Sequence, residues 1–130
     1  LNVYPAAGRT EISVGHVGNN LYLGVKGYEP STAYLVAEHS ERDSDVWQDD
    51  CIEIFIDDDI VEHSYFTFHI NSRGAYKDQH ARTAERERWN SRLKVATHVA
   101  ETFWTVELEL PLADGRWRGV GRQGSTGADR

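Results

Sequence analysis

The chain has 130 residues, and its 39% hydrophobic content includes four Trp, six Tyr and four Phe; that suffices for one core, is too little for two, and is unlike a disordered sequence. Its 14 Lys and Arg against 21 Asp and Glu leave a formal charge of −7, which disfavours nucleic-acid phosphates and membrane surfaces as partners and leaves neutral ligands or cations. The lone Cys51 rules out an internal disulfide and a multi-cysteine zinc site, and no run nears the roughly 20 apolar residues that span a bilayer.

In chain order, LNVYPAAGRTEISV lacks the basic start and apolar centre of a signal peptide, and the opening on Leu1 reads as that of an excised module. Ile12 and Val14 then recur at period two, Gly18-Asn19-Asn20 turns the chain, and Leu21, Leu23 and Val25 alternate with Tyr22, Gly24 and Lys26. This pattern predicts a β-hairpin over Glu11 to Tyr28. Glu29 to Asp45 carries Pro30 and scattered charges and reads as a loop with one short strand at Ala33 to Ala37. Asp50 to Asp57 alternates cleanly, with Ile52, Ile54 and Ile56 on one face and Cys51, Glu53 and Phe55 on the other, before the acidic turn Asp57-Asp58-Asp59. Phe66, Phe68 and Ile70 answer it, alternating with Thr67, His69 and Asn71 before the turn Ser72-Arg73-Gly74. Lys77 to Arg92 is almost wholly polar apart from Trp89 and reads as a loop. Strands are expected at Leu93 to Ala100 and at Phe103 to Leu110, the second stopped by Pro111. The Gly- and Arg-rich residues 113–130, with Trp117 and Val120, read as an edge strand or a flexible tail. The expectation is one all-β domain over 1–130, firmest over 10–112, folded as an antiparallel two-sheet sandwich with incomplete terminal strands.

The polar face of the central strands has the composition that grips sugars: a flat aromatic ring for the C–H face of a pyranose, and planar polar groups for pairs of hydroxyls. Trp47 precedes the strand carrying Glu53, while His69 and Asn71 neighbour Glu53 on the next strand. Lys26 points outward from the first hairpin, Arg73 stands in the following turn, and Trp89 lies in a polar loop where burial is least expected. Ordinary structural roles compete with these: a core lid for either Trp, and an ion pair of Glu53 with Arg73 or Lys26. The alternation of Trp104 with Val106 and Leu108 marks it as core. Asp57, Asp58 and Asp59, with Asp49, Asp50 and Glu62 nearby, offer oxygens of the kind calcium prefers, without the spacing of an EF-hand loop; no other cofactor is implied. No carboxylate pair is singled out as a glycosidase acid and nucleophile, so no catalytic residue is assigned. Six histidines leave haem open, although there is no Met and no CxxCH motif.

Four segments carry a family resemblance: RDSDVWQDDCIEIFIDDD, YFTFHINSRGAYKD, WNSRLKVATHV and FWTVELELPL. In order and spacing they resemble the strand motifs of carbohydrate-binding module family 9 and the wider DOMON-like superfamily, over about Thr10 to Leu112. The resemblance implies an immunoglobulin-like β-sandwich that binds oligo- or polysaccharide without catalysing a reaction. It also implies an extracellular or periplasmic setting, attachment to a glycoside hydrolase or other catalytic domain, and calcium in some members. By the alignment of VWQDDCIE the sugar-gripping Trp and Glu fall on Trp47 and Glu53, with Trp89 as the second clamp aromatic. The sequence departs from the family pattern before Thr10 and at its closing strand, here only RWRGVGR around Trp117. A haem or redox domain of the same superfamily, and a structural module without ligand, remain the alternatives.

Overall fold

The computed structural model describes residues 8–57, 65–81 and 89–112. Seven strands are present among them: β1 (Thr10–Val17), β2 (Asn20–Tyr28), β3 (Cys51–Ile56), β4 (Tyr65–Asn71), β5 (Tyr76–Ala81), β6 (Lys94–Val99) and β7 (Phe103–Pro111). They form two antiparallel sheets, ordered β1-β2-β7-β6 and β3-β4-β5. The protein is an all-β sandwich.

Local chemistry sets the connections. β1 and β2 are joined through Gly18, whose φ of 55° is the left-handed conformation a tight hairpin needs, and Val17 pairs with Asn20 across it. Gly74, at φ 83°, does the same between β4 and β5. There the Asn71 carbonyl accepts from Gly74 N and Asn71 N donates to the Ala75 carbonyl, both at 3.1 Å.

Alternation decides which side chains face inward. Leu21, Leu23 and Val25 of β2 line up with Leu110, Leu108 and Val106 of β7. Ile52, Ile54 and Ile56 of β3 oppose Ile70, Phe68 and Phe66 of β4. The two sets pack together with Trp89, Leu93 and Trp104, and burial of each large aliphatic or aromatic side chain contributes about 1.5–3 kcal/mol. Between the sheets the space left among Leu21, Ile54, Phe68 and Leu108 is about 10 Å³, roughly one water. That gap is too small for a sugar, so sugar binding by the described residues belongs to the outside of the sandwich.

Two expectations change. Lys77 to Arg92 is not all loop, because β5 occupies Tyr76–Ala81. Its inward Asp78 is buried and accepts from Ser91 N at 2.7 Å and from Arg42 Nη2 at 3.1 Å. A paired carboxylate thus replaces the aliphatic side chain that would have marked the strand. The short strand at Ala33 to Ala37 is a 3₁₀ turn at Thr32–Tyr34 followed by extended chain. That chain is tied by Asp49 and Asp50 ahead of β3: Val36 N donates to Asp50 Oδ2 at 2.7 Å, the Val36 carbonyl accepts from Asp50 N at 2.9 Å, and Glu38 N donates to Asp49 Oδ1 at 3.1 Å. The side of β1 that carries Ile12 and Val14 is not core. Ile12 and Val14 are 64% and 66% exposed on this edge strand, which among the described residues pairs with β2 alone. Residues 113–130, with Trp117, lie outside the described residues.

Candidate functional site

A row of polar side chains crosses the outer face of the three-stranded sheet. Register places Glu53 of β3 opposite His69 of β4, and His69 opposite Lys77 of β5. The Glu53 carboxylate is half exposed, with His69 Nε2 3.6 Å from its Oε1. Burial, together with the Lys77 ammonium, pushes the His69 imidazole below its usual range despite Glu53, so the neutral form of the ring is favoured. His69 Nδ1 and Thr67 Oγ1, two positions apart on this face of β4, are buried with no hydrogen-bond partner among the described residues.

At the far end of the row Lys77 Nζ lies 3.6 Å from Asp45 Oδ1, and the same oxygen accepts from the Trp47 indole N–H at 3.4 Å. Asp45 is the cap residue of a 3₁₀ turn at Val46–Gln48. Val46 is fully buried, while Trp47 is 56% exposed. The turn packs on β3, β4 and β5, so the anchored Val46 holds the neighbouring ring outward. Arg73, exposed in the turn after β4, donates from Nη1 to the Ala37 carbonyl at 3.3 Å.

The other candidates lie elsewhere. Trp89 is 8% exposed, and its ring lies 4.6 Å from Phe66 and 6.1 Å from Phe68. The expectation of an exposed second platform is corrected: the polar neighbours of Trp89 flank a ring that folds into the core. Asn71 is fully buried. Its Nδ2 donates to the His39 carbonyl and Asp49 Oδ2, each at 2.8 Å, and its Oδ1 accepts from Arg73 N at 3.1 Å and Ala75 N at 3.0 Å. Its full bonding capacity is spent inside the protein, which removes it as a contact for hydroxyls. Lys26 does point outward as expected, but from the other sheet, with its ammonium 4.0 Å from the Phe103 ring centre and 4.9 Å from that of Tyr28.

The acidic groups divide similarly. Asp57 is exposed, and Asp58 and Asp59 lie outside the described residues. Asp49, also considered as a calcium ligand, is buried and accepts from Glu38 N, His39 N, His39 Nδ1 and Asn71 Nδ2. Among the described residues no group of three or more His, Cys, Asp or Glu is placed to hold a metal ion.

A family model described as carbohydrate family 9 binding domain-like matches residues 33–128, well over half of the chain. The chain belongs to that family. Its match runs past Leu112, where the motif-by-motif resemblance ends, through Trp117. No curated protein and no solved structure matches the chain, so the site of this family 9 domain rests on its own residues.

Sequence reasoning missed Asp45 and Lys77. Lys77 became visible only once β5 existed, since it faces outward by alternation. Asp45, next to Val46 at the start of the turn, carried a usable signal as an acidic cap. It also passed over Phe55, outward on β3 by simple alternation, 60% exposed and 5.9 Å from the Tyr65 ring.

Proposed function

We propose that this family 9 domain is a non-catalytic module that stacks a pyranose ring on Trp47 and bonds its hydroxyls through Glu53, Arg73 and Lys77. The observation that carries the reading is the Trp47 ring, held outward on a turn whose other large apolar residue is fully buried. Removing so large an apolar surface from water is favourable, so a ring pinned outside the core favours a partner that covers it. The indole N–H is bonded to Asp45, and this fixes the edge of the ring while leaving stacking to its face. Glu53 supplies an acceptor and Arg73 a set of planar donors, the usual complement for vicinal hydroxyls. The net charge of −7 favours neutral over acidic glycans. In this reading the domain serves a larger extracellular or periplasmic polysaccharide-active protein, joined to a glycoside hydrolase or another catalytic domain.

Stacking plus a few hydrogen bonds gives micromolar to millimolar affinity, on the order of 4–8 kcal/mol. Calorimetry against glucose, cellobiose and xylobiose tests this. Trp47→Ala is expected to weaken binding at least tenfold, on the order of 1.4 kcal/mol, with stability changed by no more than about 0.5 kcal/mol, as for other exposed positions. The absence of heat with every sugar, or equal affinity in the variant, refutes the assignment.

A further inference from the structure

The four-stranded sheet carries a second feature that the Trp47 region does not explain. Its outer face presents Ser13 and Gly15 of β1 opposite Gly24 and Tyr22 of β2, with Glu107 of β7 opposite Gly24 on the other side. These side chains enclose an open trough of about 450 Å³. Two smaller ones of about 240 Å³ adjoin it, toward Lys26 and Thr105 and toward Lys94 and Ala96, and Glu107 lines all three.

The glycines that deepen this trough are not demanded by the fold. Neither has a positive φ. A Cβ on Gly15 would meet nothing within 4 Å, and one on Gly24 only Ser13 Cβ at 3.9 Å, whereas a Cβ on Gly27, on the inward face, would press on Trp104 Nε1 at 3.0 Å. Glycine within a strand weakens it, and where no bulge or bend calls for it, it leaves the backbone open, as at a site of close approach by a ligand. Beside the glycines stands a fixed aromatic. Tyr22 is 39% exposed, and its hydroxyl donates to Glu109 Oε1 at 3.2 Å. The same carboxylate is held by Asn20 Nδ2 and Lys94 Nζ, each at 3.0 Å. Glu107 is exposed and has no hydrogen bond or ion pair among the described residues.

We propose that this face is a second carbohydrate subsite, taking a linear neutral oligosaccharide laid across the sheet from β6 to β1. It rests on the family reading that the chain binds carbohydrate, and not on Trp47. The Tyr22 ring gives a sugar a stacking surface, Gly15 and Gly24 let the chain settle against the backbone, and Glu107 and Ser13 bond hydroxyls. Three strand spacings of about 4.8 Å make a track of about 14 Å, which calls for an oligomer. Glu11 is paired with Arg9 at 2.7 Å and Glu109 with Lys94 at 3.0 Å, which leaves Glu107 as the carboxylate facing the ligand, so neutral chains are favoured over uronic-acid chains.

The test is a titration of the isotope-labelled full chain with cellohexaose and xylohexaose, followed by amide chemical shifts, in the parent, in Gly24→Val and in Trp47→Ala. With at least one of the two sugars, shifts are expected at Ser13, Gly15, Gly24 and Glu107, retained in Trp47→Ala and lost in Gly24→Val. The melting temperature of Gly24→Val should equal or exceed the parent's, since valine suits a strand better than glycine. Shifts confined to the surroundings of Trp47 overturn the second subsite and leave the first. Shifts confined to the trough do the reverse, and no shift anywhere overturns both. Trough shifts that persist in Gly24→Val, or that appear on concentrating the protein without sugar, also overturn the proposal, the latter by showing a self-association surface.

Discussion

Replacing Trp89 by alanine is expected to remove about 3–5 kcal/mol of stability, the cost of emptying a buried aromatic site. For a domain of this size that is roughly a 10–20 °C fall in melting temperature. The ring closes one end of the core: it lies 4.6 Å from Phe66 and 6.3 Å from His80, which itself stacks on Phe66 at 4.3 Å and 14° between planes. The chain beyond it is pinned by Asp78, which accepts from Ser91 N, and by Ser91 Oγ, which accepts from Leu93 N at 3.2 Å. The surroundings are therefore tied down and collapse poorly into the space left. Trp89→Phe retains part of the packing and should cost less than half as much, with sugar affinity unchanged. A loss below about 1 kcal/mol in the alanine variant would place the ring outside the core, and reduced sugar affinity in the phenylalanine variant would return it to the binding site.

The same residue shows why part of this molecule is legible in its sequence and part is not. β2, β3, β4 and β7 each contain alternate aliphatic or aromatic residues facing one core, and their period of two survives any choice of neighbour. Alternation also places Glu53 and His69 on one face, but it does not set them directly opposite each other: of the ion-pair partners expected for Glu53, Arg73 bonds the Ala37 carbonyl and Lys26 lies on the other sheet. β5 hides because its inward positions are Tyr76, Asp78 and His80, whose burial depends on Arg42, Ser91 and Phe66, all distant in sequence. Trp89 is misread for the same reason: polar neighbours in the chain say little about a side chain whose contacts lie on β4. Of the candidate site, Trp47 and Glu53 draw notice in the sequence because each breaks a local pattern. Asn71 looked equally available, since sequence shows a side chain's type but not whether its hydrogen bonds are already spent. β1 errs in the opposite direction: its alternation is that of a core strand, yet coverage is a property of the opposite sheet.

Asp49→Asn should be the second most damaging change, costing about 2–4 kcal/mol at pH 7 from broken hydrogen bonds to a buried carboxylate. Burial alone would raise the carboxyl's pKa, but the hydrogen bonds from Asn71, the His39 ring and the backbone N–H groups of His39 and Glu38 outweigh it and hold the value at about 2. An amide presents N–H groups where two of these donors point, so several bonds fail together. The chain from Val36 to His39, which receives the Arg73 guanidinium at Ala37, would loosen with them. The pH dependence gives the sharper test. The folded value lies below the ordinary 3.8, so the fold favours the ionised form. Its contribution, on the order of 2 kcal/mol, is fully present above about pH 5 and is lost as pH falls through 3.8 toward 2. Urea unfolding of both proteins from pH 7 to pH 2 should therefore show a stability gap that is constant down to about pH 5 and then narrows. A gap that stays the same to pH 2 would mean that the Asp49 carboxylate is not held ionised by the bonds that tie the Val36–His39 segment to Asn71.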